Sequence, residues 1–74
     1  MLIGKFKRFK EVSEIWCNNK KEYFIILDNE KYNFDLMHKF FAIEKENINM
    51  FKNIYYVPSL LFDRNCLYGY KRVY

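Results

Sequence analysis

A chain of 74 residues has room for one hydrophobic core and no more, so every apolar pattern in it must be read as part of a single domain, 1–74. A domain of this size buries a thin core and is marginally stable alone. Half of its residues are hydrophobic and 22% are aromatic, enough apolar mass to fold. No stretch approaches the roughly 18 apolar residues of a membrane span. Lys5, Lys7, Arg8 and Lys10 fall where the apolar segment of a signal peptide would lie. The expectation is a cytoplasmic protein without a membrane partner.

Asn, Lys, Ile, Phe and Tyr make up 40 of the 74 residues, Thr and Gln are absent, and Ala42 is the only alanine. These five residues have AT-rich codons, which points to a low-GC genome, cellular or viral. Part of the lysine and aromatic abundance is therefore mutational and carries no function.

Leu2, Phe6, Phe9, Val12 and Trp16 follow i, i+4, i+7 spacing and fall within about 120° of one helical face, which predicts an amphipathic helix over residues 2–17. Asn18 and Asn19 offer it a stop. Residues 22–34 read as a β-hairpin. Tyr23 to Leu27 form the first strand, Asp28 to Lys31 the turn, and Tyr32 to Phe34 the return. Asp35 is an expected N-cap for a helix starting at Leu36, with Leu36, Met37, Phe40 and Phe41 as its apolar face. Ile48, Phe51 and Ile54 mark a second helical pattern, which Pro58 ends. The tail from Ser59 reads as a second hairpin turning near Asp63–Asn65, or as a strand. The expected fold is α+β: an N-terminal amphipathic helix, a β-hairpin, a short helical pair, and a C-terminal β-hairpin or strand.

The net charge of +4 is unevenly placed. Residues 1–10 carry four positive charges and no acid, residues 64–74 carry Arg64, Lys71 and Arg72 without an acid, and residues 11–63 have net charge −3. Basic ends suit a polyanion if they meet in space, and are otherwise ordinary solvated tails.

Residues 36–53, LMHKFFAIEKENINMFKN, resemble a helix-turn-helix. Phe41 would close the first helix, Ala42 would open the turn, and Ile48 and Phe51 would pack the second helix. The preceding LDNEKYNF looks like the hairpin before such units in some phage-type proteins. The tail DRNCLYGYKRVY is similar to the basic wing of winged-helix regulators. This sequence departs from the pattern at His38, where the family has a small residue, and at Glu44 and Glu46, which phosphates repel. The resemblance implies DNA contacts by Lys45, Asn49 and Asn53 on the second helix. It implies backbone contacts by Lys52, Lys71 and Arg72. An ordinary helical hairpin closing the core remains the alternative for residues 36–55.

Catalysis has little to stand on. Cys17, His38 and Asp63 can be drawn as nucleophile, base and orienter, but no strained elbow or Gly-rich turn accompanies them. One histidine and two distant cysteines do not make a zinc site, and the thiols read as packing groups. No cofactor or metal is expected. The sequence thus predicts a non-enzymatic binding module, a nucleic-acid-binding (DNA) regulator of phage or mobile-element type, with a homodimer among the expectations. The alternative is a protein inhibitor of a host defence system, anti-CRISPR-like, which binds a host protein through its acidic middle.

Overall fold

The computed structural model describes residues 2–28 and 33–74. The elements are α1 (Leu2–Lys7), β1 (Val12–Cys17), β2 (Glu22–Leu27), α2 (Phe34–Glu46), β3 (Asn53–Pro58) and β4 (Lys71–Arg72). Three short 3-10 turns, Ile48–Met50, Ser59–Leu61 and Arg64–Leu67, join the later ones. The class is α+β, with an N-terminal helix, a hairpin, a second helix and C-terminal strands around one four-stranded sheet ordered β3-β2-β1-β4. β2 pairs with β1 and β1 with β4 antiparallel, whereas β3 runs parallel to β2. A parallel neighbour needs a crossover, and α2 supplies it.

The first helix is shorter than the apolar spacing predicts. It stops at Lys7, and residues 12–17 form β1 instead. A β-bulge explains why the pattern misleads. The register between β1 and β2 slips between Val12 and Glu14, so one extra residue resets the alternation of faces. Val12 and Ile15, three apart, both end up buried on the helix side. A bulged strand thereby imitates the three-residue step of a helix. Asn18 and Asn19 are accordingly part of the β1–β2 turn. The Asn18 side-chain oxygen accepts from the N–H groups of Lys20 (2.9 Å) and Glu22 (3.0 Å), and Lys21 takes the left-handed conformation, φ 61°.

β2 is the predicted strand, but its hairpin partner is β1, which precedes it. Of the expected turn and return, residues 29–32 lie outside the described residues. Asn33 and Phe34 belong to α2: Asn33 is the N-cap, its side chain accepting from the Asp35 N–H (2.8 Å), two residues earlier than expected. The expected helical pair is also different. α2 runs unbroken through Ala42, Ile43 and Glu44 to Glu46, and only the 3-10 turn Ile48–Met50 comes between it and β3. There is no helix-turn-helix geometry in residues 36–53. From Asp35 to Glu46 there is no glycine or proline, and alanine is the best helix former, so Ala42 strengthens the helix it is expected to end. Ile54 lies in β3, whose Ile and Tyr residues prefer extended backbone. In the tail, Asp63–Asn65 do not turn a hairpin. β3 and β4 sit at opposite edges of the sheet, joined by the segment 59–70.

The core lies between the sheet and the two helices. Leu2 and Phe6 of α1, Val12 and Ile15 of β1, Ile25 and Leu27 of β2, and Leu36, Phe40 and Ile43 of α2 form one buried cluster. Phe9 packs against it half-buried, and Trp16, expected in the core, is half-buried as well. Phe24 points to the other face. There it meets Tyr55, Phe62 and Tyr70 with ring centroids 5.3, 5.5 and 4.9 Å away, so segment 59–70 forms a third layer. Ile26 is fully buried beneath that layer. None of the helices among the described residues is long and apolar enough to cross a membrane.

One ion pair ties the third layer to β1. Arg64 grips Glu14 with both guanidinium nitrogens (3.1 and 2.7 Å), and the Trp16 indole N–H donates to the same carboxylate (2.8 Å). The Arg64 hydrogen bond, reinforced by that of Trp16, outweighs burial and holds the Glu14 carboxyl down at about 2, against an ordinary 4.5. The folded state therefore favours the ionised form. The pair's stabilisation is complete above pH 4.5 and is lost as pH falls towards 2. We expect Arg64→Gln to flatten that acid limb, measured as urea stability between pH 2 and 6 by the fluorescence of Trp16, the single tryptophan. An acid limb of unchanged slope would show that another group titrates there.

Candidate nucleic-acid interface

The β1–β2 turn gathers lysines from separate stretches of the sequence. Lys20 and Lys21 lie in the turn itself. Lys52 approaches it from the end of the crossover, its backbone N–H donating to the Lys21 carbonyl (2.7 Å). Lys71 arrives from the other side, as the β4 residue paired with Cys17, the last residue of β1. The strand order alone produces this convergence: β3 begins, β1 ends and β4 begins at one end of the sheet.

Glu22 is the acid in the midst of this group, and it is already engaged. Its carboxylate accepts from the Asn18 side chain (2.9 Å) and from the Asn53 side chain (3.2 Å). Those two hydrogen bonds, then the charges of Lys52 and Lys20, lower its pKa. Glu22 thus stays ionised and holds the turn together, while the lysine charges outnumber it four to one.

Beside the lysines stands Tyr68, 96% exposed. With Asn18, Asn19, Lys20 and Gly69 it lines a shallow pocket. Gly69, at φ 83°, makes the left-handed turn that lets Tyr68 point outwards while Tyr70 packs back on Phe24. The Tyr70 N–H donates to the Leu67 carbonyl (2.8 Å) and closes that turn. A large aromatic ring left in water beside a cationic pocket is unusual, because it forfeits its burial energy.

Lys52, Asn53 and Lys71, three of the residues that the sequence singles out, come together here. Asn53 does so as a support, with its amide committed to Glu22. Arg72 is the next residue of β4, opposite Trp16, and its Nε–H donates to the Tyr74 carbonyl (3.0 Å). Lys45 is exposed on the last turn of α2 and Asn49 is exposed in the neighbouring 3-10 turn, so they do not share a recognition-helix face. Lys20 and Lys21 are not among the residues expected from the sequence, whereas Tyr68, Tyr70 and Tyr74 alternate in the tail and read either as a stacking platform for a single strand or, in preference, as the packed face of a strand. The Asn-Asn-Lys-Lys run is the available signal, once it is read as a hairpin turn.

The two basic termini do not meet. Arg8 and Lys10 precede the start of β1, whereas Lys71 pairs with its end. Arg8 instead lies over the Phe9 ring (5.5 Å) and lines a cleft with Lys39, Ala42, Ile43 and Glu46. His38 is exposed on α2, while Asp63 caps the 3-10 turn through the Asn65 N–H (2.9 Å). Of the two thiols, Cys17 is half-buried, but Cys66 is exposed, contrary to the packing role expected of it, because its 3-10 turn lies on the outside of the third layer.

Comparison of this chain with protein-family models, with curated proteins and with solved structures finds no match. Its functional reading therefore rests on the geometry of this site.

Proposed function

We propose that this protein is a non-enzymatic module that binds nucleic acid through the lysine-rich end of its sheet, single strands in preference to duplex. One observation carries the reading: Lys20, Lys21, Lys52 and Lys71 lie at one end of the sheet, where the Glu22 carboxylate is internally bonded, and a tyrosine 96% exposed stands beside Lys20. Lysines grouped in this way meet successive phosphates, and neutralising them releases condensed counterions. An exposed aromatic ring beside them stacks an unpaired base without regard to its identity. A duplex offers its bases to such a ring only at frayed ends or in distorted steps, hence the preference for single strands. The regulator read from the sequence is retained in its partner class, with contacts made by strand ends and turns in place of a recognition helix.

The protein-inhibitor reading draws less support. It asks for an acidic face, and the described acids of the middle segment are spread out. Glu22 sits among lysines, Asp28 and Asp35 lie at the other end of the sheet, Glu44 accepts from the Tyr56 hydroxyl, and Glu46 shares a cleft with Arg8 and Lys39.

Titration of a labelled oligonucleotide tests the assignment. Tyr68→Ala is expected to weaken binding by about 1–3 kcal/mol, or roughly 5- to 150-fold, the range for a single stacked base. Lys52→Ala and Lys71→Ala should each weaken binding and reduce the salt slope by about 0.7, the value for one phosphate of a single strand. Lys39→Ala, in the cleft between the helical segments, should leave both unchanged. Equal losses from Lys39→Ala and Lys52→Ala would mean diffuse attraction by net charge, and the site would be withdrawn.

A further inference from the structure

The pocket beside Tyr68 holds two asparagines in different states. Asn18 is committed. Its side-chain oxygen accepts from the N–H groups of Lys20 (2.9 Å) and Glu22 (3.0 Å), and its amide nitrogen donates to the Glu22 carboxylate (2.9 Å). With both lone pairs of that oxygen engaged, Asn18 builds the turn. Asn19 is exposed, and its amide has no hydrogen-bond partner among the described residues. The left-handed conformation of the turn falls on Lys21, so the backbone makes no demand for asparagine at position 19. Asn19 lines the pocket with Lys20, Tyr68 and Gly69. A Cβ placed on Gly69 would meet nothing within 4 Å, so that side of the pocket is open. The volume of about 230 Å³ lies below the roughly 300 Å³ at which pockets for drug-sized ligands begin, a size that suits one base.

We infer that Asn19 reads the Watson–Crick edge of the base stacked on Tyr68, and so selects unpaired bases without selecting their sequence. The inference rests on the reading of the lysine-rich end as a single-strand site. Its chemistry follows from the amide, which sets an acceptor oxygen beside a donor NH2 group. Adenine and cytosine present an amino donor next to a ring-nitrogen acceptor on that edge. Guanine, thymine and uracil present a carbonyl acceptor next to a ring N–H donor. Turning the amide over matches either pattern, so any base can make two hydrogen bonds to it. In a duplex the same edge is occupied by the complementary base, and Asn19 has nothing to bond. Stacking alone does not draw this distinction at a duplex end, where the terminal pair also offers a face to Tyr68. The amide therefore gives the site its strand selectivity, while Lys20 on the same pocket serves the phosphates.

Two strands test this, a thymidine oligomer of about 15 nucleotides and its N3-methylthymidine counterpart, each titrated at about 50 mM salt. They carry the same phosphates and equally stackable rings. The methyl group removes the N3–H donor and obstructs the edge. Wild type is expected to bind the methylated strand roughly five- to tenfold more weakly. This is the lower part of the range for a bidentate base contact, because the pocket is open to water. Asn19→Ala should bind the thymidine strand as weakly as wild type binds the methylated one, and methylation should make no further difference to it. The urea midpoint of Asn19→Ala should be that of wild type, since an exposed amide without a partner supports nothing in the fold. Equal affinity of wild type for the two strands overturns the inference and leaves the single-strand site standing. A methylation effect that persists in Asn19→Ala also overturns it, because the edge is then read elsewhere. Failure of wild type to bind either strand withdraws the single-strand reading, and the inference with it.

Discussion

Phe40→Ala is expected to unfold a large fraction of the molecules at room temperature. The Phe40 ring is fully buried where both helices meet the sheet. It stacks on Tyr56 of β3 at 5.1 Å with the planes 4° apart, and it receives Phe6 of α1 and Phe9 edge-on at 5.4 and 5.1 Å. Truncating such a ring costs about 3–5 kcal/mol, made up of lost transfer energy and the cavity left behind. The whole stability of a 74-residue domain is about 4–11 kcal/mol at typical values per residue. One substitution thus consumes much or all of it. Urea denaturation monitored by Trp16 fluorescence reads the loss. A stability within about 0.5 kcal/mol of wild type, the range of an ordinary surface substitution, would mean that the helices do not close the core in this way.

Phe24→Ala should act on the opposite face, with a different signature. Phe24 is the anchor on which Tyr55, Phe62 and Tyr70 converge. The third layer is otherwise attached by the Arg64–Glu14 pair and, through the chain that follows it, by the β4 rungs opposite Trp16 and Cys17 and the backbone hydrogen bonds of Val73 and Tyr74 with Ile15. We expect a loss of about 2–4 kcal/mol, less than for Phe40 because the Phe24 side chain is only half-buried. The distinctive result is local. Segment 59–70 should be cut by trypsin after Arg64 at low protease concentration while the helix-side core remains folded. Since Tyr68 and Gly69 belong to that segment, oligonucleotide affinity should fall with it. Cleavage spread evenly over the chain would show that the sheet's two faces unfold as one unit.

The contrast between these faces indicates how much of the fold the sequence displays. Local, periodic features are legible. The Tyr23–Leu27 run is β2, and the Leu36 and Phe40 spacing marks the buried side of α2. Features that depend on distant partners are not. Val12 and Ile15 reach one face because of a bulge, and a bulge is a property of the pairing with β2. Ala42 is compatible with a helix or a turn, and the choice is made further along the chain, where α2 crosses over into a parallel strand that no local pattern announces.

The site divides in the same way. Lys52 and Lys71 stand out in the sequence for their charge, and both belong to it. Their neighbours Lys20 and Lys21 are 31 or more positions from either, and only the strand order brings them together. In the sequence Tyr68 is one of several alternating tail tyrosines. Its exposure results from the turn at Gly69, while Tyr70, two residues on, is drawn inwards by Phe24.

The central claim concerns the lysine-rich end, and the salt dependence of wild-type binding tests it most directly. A labelled single strand of about 15 nucleotides, titrated at about 50 and 200 mM salt, should bind with a log–log slope near −3, the sum of about four phosphate contacts at roughly 0.7 each. A duplex of equal length should bind more weakly. Absence of binding to any single strand or duplex at the lower salt would contradict the account.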